Sequence, residues 1–295
     1  MWQFLKRLKI LRKQPPRKLG LALSGGGVRG LAHIGVLKVL EREGVQIDYL
    51  AGTSAGGLIS ALYAAGLSAS EMEEEVLRLS DPRRLVALVD RTLPRRGLLE
   101  GQRVMEYLAQ WLGGLTFDQL HIPLALVAVD LNEQQKVIMR EGPVLDAVRA
   151  TIALPGFFTP VERDGQLLVD GGLLDNLPVD AVHQMGADVV IAVDISTNQE
   201  VKDFVIERLH GHRFVPGGLV DLVEVLWCSM EVLIKHANLR ALEEAPPDLL
   251  IHPAIPPDVT VLTGFPRAAE TIAAGEQAAI EALPQIQALL GSSTS

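Results

Sequence analysis

Ile47-Asp48-Tyr49-Leu50-Ala51-Gly52-Thr53-Ser54-Ala55-Gly56-Gly57-Leu58-Ile59-Ser60-Ala61-Leu62-Tyr63-Ala64-Ala65 is the stretch on which the fold turns. Ile47 to Leu50 is a short apolar run that predicts a strand. Leu58 to Ala65 is apolar nearly all round, and a helix of that kind has to be buried. Gly52-Thr53-Ser54-Ala55-Gly56 lies between them, where the chain must turn sharply from strand to helix. A buried strand running straight into a buried helix is the unit of an α/β sheet.

Reading outward, the same alternation continues. Leu19 to Ser24 predicts a first strand, ending in three glycines, and Leu31 to Glu43 a helix that Gly44 stops. Leu124 to Leu131, Leu167 to Val169, Val189 to Ile195 and Leu249 to His252 predict further strands, and Lys136 to Arg140 fits one beside Leu124 to Leu131. Helices are predicted from Pro143 to about Leu154, from Pro178 to Gln184, through most of 200–245, and from Arg267 to Ala282. Residues 70–112 predict several short amphipathic helices, the first opened by a capping box of Ser70 and Glu73. Two readings fit these helices: ordinary packing onto the sheet, or a cap that shapes an acyl groove. The pattern predicts an α/β fold, a three-layer α/β/α sandwich around a mostly parallel sheet. There is no repeat and no linker, so 19–195 reads as one core and 196–295 as a mainly helical part packed on it.

A serine hydroxyl is a poor nucleophile until it is positioned, relieved of its proton and offered donors for the oxyanion it creates. Gly52-x-Ser54-x-Gly56 has the form of a nucleophile elbow, where Gly52 and Gly56 remove side chains that so tight a turn would crush. The pattern is common by chance; the apolar strand before it and the helix after it give it weight. The first loop, Gly25-Gly26-Gly27-Val28-Arg29-Gly30, admits two readings. As Gly-x-Gly-x-x-Gly it matches a dinucleotide fingerprint, which also needs an acid at the end of the second strand. The corresponding stretch offers Asp48, but that strand runs into a serine elbow. As a loop of free N–H groups in the neighbouring βα turn, it can form an oxyanion hole over Ser54, which the context favours.

The base is less plain. Of seven histidines, His252 alone lies late enough for a Ser-His-Asp order, and His252-Pro253-Ala254 offers no supporting context. All seven are read as hydrogen-bonded structural residues. Asp170-Gly171-Gly172 places an aspartate at a strand end, exposed at the sheet edge, with two missing side chains that permit a close approach to Ser54. A plain turn aspartate fits the same three residues.

Composition sets the outer limits. The 295 residues are 48% hydrophobic and 21% charged, ordinary for a globular protein, and no run approaches the ~20 apolar residues of a membrane span. One cysteine, Cys228, forbids an internal disulfide, suits a reducing cytoplasm and reads as a core thiol. Seven of the 27 bases fall at Lys6, Arg7, Lys9, Arg12, Lys13, Arg17 and Lys18, with no acid among residues 1–18. The body is therefore strongly acidic, which argues against nucleic acid as a partner. In the head, Met1, Phe4, Leu5, Leu8 and Leu11 share a helical face until Pro15 and Pro16 end it. Residues 1–17 fit either a peripheral anchor on anionic membrane or a solvated basic tail. They do not fit a secretory signal, because bases interrupt every apolar run.

Taken in order, the glycine loop 25–30, the elbow 52–56 and Asp170-Gly171-Gly172 resemble the patatin-like phospholipase family, bacterial members included. Leu31-Ala32-His33-Ile34-Gly35-Val36-Leu37 and Leu154-Pro155-Gly156-Phe157-Phe158-Thr159-Pro160 add to the likeness, which covers about 19–195. The resemblance implies a modified α/β-hydrolase sandwich and acyl ester hydrolysis on lipids. It implies a Ser-Asp dyad of Ser54 as nucleophile and Asp170 as proton acceptor, with Gly25 to Gly30 as oxyanion hole. It implies no metal, organic cofactor or nucleotide. One departure is Ala150-Thr151, where the family often has Ala-Ser; the hydroxyl is kept. Two alternatives share these motifs: a catalytically silent membrane-associated regulator, and an acyltransferase.

Overall fold

In β1 (Leu19–Leu23) every residue is buried, as a strand covered on both faces requires. Its alternate side chains sort by size. Leu19, Leu21 and Leu23 join the large core, while Ala22 faces the other way. Ala22 pairs in register with Ala51 of β2 (Tyr49–Thr53) and with Ala192 of β7 (Val189–Val193), and Ala51 pairs with Ala125 of β3 (Leu124–Asp130). That row of alanines makes one face of the sheet shallow. Helix α7 (Val179–Met185) settles on it, so closely that a Cβ at Gly20 would meet Val182 Cγ1 at 1.9 Å.

The computed structural model describes residues 17–90, 99–196, 217–261 and 263–291, without the side chains of Pro82 and 217–228. Among the described residues eight strands form one sheet. β8 (Leu249–Ile251), β7, β1, β2 and β3 lie side by side and parallel. β4 (Gln135–Met139) and β6 (Gln166–Asp170) pair antiparallel with β3, and β5 (Val161–Arg163) with β6. The leucine-rich face is covered by α1 (Leu31–Arg42), α2 (Ser54–Ala64), α6 (Val144–Thr151) and α9 (Ala268–Leu290). The α1–α9 crossing is close because Gly35 and Gly275 carry no Cβ; one there would meet Ile272 O at 2.0 Å and Ala32 O at 1.9 Å. The alanine face is covered by α7, against which Leu242 of α8 (Gly217–Glu244) and Ala245 also pack. This is the three-layer α/β/α arrangement that the sequence predicts.

Several details differ from the sequence reading. The capping box at the start of α3 (Ala69–Leu79) is Ser68 with Glu71, not Ser70 with Glu73. Ser68 takes the extended backbone of an N-cap, and Ala69 and Met72 turn the first buried face inward. β2 starts two residues after Ile47 and runs to Thr53, so strand pairing holds the elbow itself. Helix α9 continues eight residues past Ala282, through Pro284, because Ile286 of its last turns is fully buried. In the 70–112 stretch, α3 packs on α1 and α5 (Gln102–Leu112) on α6, helix on helix rather than on the sheet; α4 (Pro82–Ala87) is a short link. Among the described residues, no helix is long and apolar enough to cross a membrane. The basic head up to residue 16, the side chain of Cys228, and His210 and His212 lie outside the described residues.

Candidate active site

Sheet register brings Ser54 and Asp170 together. β4 occupies one edge of β3 along Leu126–Asp130, so β2 and β6 must share the other edge. β2 runs parallel to β3 and ends with Thr53 opposite Val127; β6 runs antiparallel and ends with Asp170 opposite Ala128. Two strands thus approach head-on along one edge and stop at adjacent positions. Ser54 follows the end of the first, and Asp170 is the end of the second.

The turn at Ser54 is strained. Its φ of 54° is left-handed, a region that few residues other than glycine adopt. A Cβ at Gly52 would meet Gly56 O at 2.6 Å, and one at Gly56 would meet Leu23 O at 2.3 Å, so neither position tolerates a side chain. Thr53 precedes α2 without capping it; its hydroxyl donates to Asp175 O at 2.9 Å and pins β2 to the turn after β6. The Ser54 N–H donates to Thr151 Oγ1 at 2.9 Å, and that hydroxyl donates to Val127 O at 2.5 Å. Ser54 itself is half-buried at the N-terminus of α2, where the helix presents its positive end.

Asp170 is buried, at 2% exposure, and is not an exposed sheet-edge residue as the sequence predicts, because the elbow and α6 close over the strand end. Its Oδ1 accepts the Gly172 N–H at 2.8 Å, and its own N–H donates to Ala153 O at 3.0 Å. Burial pushes its pKa up to about 6, against the opposing pull of hydrogen bonds from Ser54 and Gly172. Oδ2 is buried without a partner of full hydrogen-bond geometry. The Ser54 hydroxyl is close enough to the carboxyl to oppose the effect of burial on it. A Cβ at Gly171 would meet Val127 O at 2.5 Å, so the first glycine after Asp170 keeps the strand end against β3.

The glycine loop leans over this junction. A Cβ at Gly25 would meet Ser54 Cβ at 2.9 Å, and one at Gly30 would meet Ala55 Cβ at 2.6 Å. Gly25 donates its N–H to Asn176 O, and Val28 donates to Val261 O. Among the described residues the N–H groups of Gly26 and Gly27 are left without such partners. Gly27 has φ 59° and lies against Val261, which only glycine permits. Arg29 is buried and its Nε donates to Gly26 O at 3.4 Å; burial lowers its pKa while Glu231 and Asp194 oppose that. His33 is fully buried, and burial lowers its pKa to about 4, so the ring is neutral and its Nε2–H donates to Ser24 O at 2.8 Å.

Reading all seven histidines as hydrogen-bonded structural residues fits His33. It does not fit His121, His183 and His236, which are exposed, their polar rings being better solvated by water. His252 lies 3.9 Å from Asp194 and touches neither Ser54 nor Asp170. Asp48 stands at the start of β2, accepting the Leu19 N–H at 2.8 Å, at the opposite end of the sheet from the glycine loop. It cannot serve a ligand held by that loop. Two neighbours escape the sequence reading. Asn176 is buried and its amide donates to Gly25 O at 3.2 Å, tying the glycine loop to the turn after Asp170. Lys136 reaches Asp175 at 2.9 Å and Asp180 at 2.7 Å, anchoring the same turn. Neither carries a motif, though Asn176 stands six residues beyond Asp170. Thr151 is marked in the sequence only as a kept hydroxyl, and its two hydrogen bonds are not legible there. Between α5 and α6 a groove of about 500 Å³ is lined by Glu100, Met105, Glu106, Leu145 and Arg149 among others, but by neither Ser54 nor Asp170.

Comparison with known proteins adds three findings. The sequence model described as Patatin-like phospholipase matches residues 21–183. Two uncharacterized NTE family proteins of Mycobacterium tuberculosis are similar: one is 36% identical over 192 residues, 65% of this chain and 52% of the relative. The other is 34% identical over 294 residues, covering 93% of this chain and 48% of the relative. The chain thus spans about half the length of these relatives. Among solved structures, VipD from Legionella pneumophila shares the fold at a TM-score of 0.51, with 14% identity over 92% of this chain and 67% of that one.

Proposed function

This chain belongs to the patatin-like phospholipase family, a family of lipid acyl hydrolases, and on that premise we propose that it cleaves acyl esters of lipids through Ser54 and Asp170. The observation that carries the proposal is a strained serine on a strand-to-helix turn, set by sheet register beside a buried carboxylate whose pKa lies near 6. Ser54 Oγ attacks the ester carbonyl carbon as Asp170 takes its proton. The N–H groups of Gly26 and Gly27 hold the oxyanion, and Gly25, Val28, Arg29 and Gly30 shape the loop that presents them. The tetrahedral intermediate collapses, and the departing alkoxide takes the proton from Asp170. Water then attacks the acyl-Ser54 ester and gives Asp170 a proton, which returns to Ser54 Oγ as the fatty acid leaves.

The catalytic core in this proposal is 19–195, and 196–295 complete the same domain. Residues 1–17 bring the enzyme to anionic lipid surfaces, as their interleaved bases and apolar groups favour. The test is an ester panel, from short nitrophenyl esters to lysophospholipids, with Ser54→Ala as control and fluorophosphonate labelling of Ser54. Turnover and labelling are expected in the wild type and in neither respect in the variant. Equal rates in both proteins would end the proposal.

A further inference from the structure

We propose that Thr151 is a positioning residue that sets the separation of Ser54 from Asp170. The inference rests on the hydrolase reading above and assigns part of its geometry to a side chain outside the three motifs.

The head-on meeting of β2 and β6 leaves a break in the pairing of β3 between Val127 and Ala128. At that break the Thr151 hydroxyl donates to Val127 O at 2.5 Å and accepts the Ser54 N–H at 2.9 Å. A single hydroxyl thus uses its donor and an acceptor at once, and it is fully buried. Two residues on, Ala153 O accepts the Asp170 N–H at 3.0 Å. The short stretch Thr151-Ile152-Ala153 therefore grips the backbone of the nucleophile with one end and that of the base with the other. Both grips are referred to the same strand, because Val127 faces Thr53 and Ala128 faces Asp170.

The direction of the Ser54 hydroxyl depends on this bond. Ser54 is the first residue of α2, so its N–H has no partner within the helix. At φ 54° the backbone is held away from its preferred wells and needs an outside anchor. Without the Thr151 hydroxyl, Val127 O and the Ser54 N–H are both left unpaired in a dry junction, and the elbow can relax away from Asp170. The Thr151 methyl has a separate role, because a Cβ at Gly57 would meet its Cγ2 at 3.0 Å. Serine at 151 keeps the hydroxyl and loses only that packing.

The experiment compares Thr151→Val, Thr151→Ser and wild type for fluorophosphonate labelling rate, kcat and KM on a soluble nitrophenyl ester. Thr151→Val is expected to lower labelling and kcat by about tenfold to a hundredfold with KM within about twofold, as a small misplacement of the nucleophile does. Thr151→Ser is expected to stay within about threefold of wild type. Labelling of Thr151→Val at the wild-type rate would overturn the proposal while leaving the hydrolase reading intact. A folded Thr151→Ser slowed about tenfold or more against wild type would also overturn it, by tracing the effect to the methyl. That arm decides the question even where Thr151→Val does not fold. Wild type that neither labels nor turns over removes the hydrolase reading itself, and this inference with it.

Discussion

Replacing Asp170 by Asn should make the protein inactive and, at alkaline pH, more stable. Burial raises the pKa from 3.8 to about 6. At 1.36 kcal/mol per unit, a shift of about two units corresponds to about 3 kcal/mol. The sign follows from proton linkage. The folded state binds the proton more tightly than the unfolded state, so folding is most favoured while the carboxyl is protonated. That advantage is whole below about pH 3.8 and is lost as pH rises through about 6, where the native state must hold a buried charge. About half of the loss is already present at pH 5, because the unfolded carboxyl ionises first. Asparagine carries no charge, keeps an oxygen for the Gly172 N–H, and turns its amide toward Ser54. Asp170→Asn should therefore exceed wild type by about 2–3 kcal/mol at pH 8 and by roughly half as much at pH 5. At pH 8 that is roughly 5 °C in Tm for a chain of this size. Urea and thermal melts of the two proteins at each pH give the gap directly, and other titrating groups cancel in the difference. A gap that does not change between pH 5 and pH 8, or a wild type more stable than the variant at pH 8, would refute the reasoning. The same ionisation should appear in kinetics, with kcat/KM of the wild type rising with pH through a midpoint near 6.

Asn176→Ala removes the donor to Gly25 O, and should cost about 1 kcal/mol in urea melts and lower kcat about tenfold with little change in KM, since the oxyanion loop loses its tie. Lys136→Met leaves Asp175 buried without its cation. It should cost about 2 kcal/mol at pH 7, discounted because the Lys136 side chain is 29% exposed, and less in more acidic buffer, where Asp175, its pKa raised by burial, takes a proton. Deleting residues 1–17 should weaken sedimentation with anionic liposomes and leave turnover of soluble esters unchanged; equal sedimentation with and without them would refute the anchor.

The fold was legible where the chain writes its structure locally. Runs such as Leu19–Leu23 and 124–129 are apolar on every face, and glycines sit where backbone comes within a Cβ of backbone, as Gly56 does with Leu23 O. Strand direction was not legible. Nothing in Gln166–Asp170 says that it runs antiparallel to β3, and that direction buries Asp170 at the break instead of exposing it at an edge. The capping box shifted by two residues because Ser68 and Ser70 both have an acid three residues later. Only the choice of buried face separates them. Asn176, Lys136 and the contacts of Thr151 were invisible for a common reason. Each acts through a partner more than twenty residues away, and a lone polar residue at such a distance has no pattern.

The dyad as proposed also explains why no histidine is needed. A free aspartate, with a pKa near 3.9, is too weak a base to take a serine proton at neutral pH, and an imidazole near 6.5 is the usual remedy. Burial at the β2–β6 junction carries Asp170 up to about 6, toward the imidazole range, by desolvation. His33, close to the loop, is moved the opposite way by the same force, to about 4, and remains a neutral strut on Ser24 O. A dry junction thus favours the carboxylate as base and disqualifies an imidazole placed in it. The backbone supplies the rest, since the Gly172 N–H and Ala153 O hold the aspartate at its strand end without a third side chain. Flooding the junction with water, by enlarging it at Thr151 or Asn176, should therefore move the kinetic midpoint of Asp170 down toward 4 along with the rate.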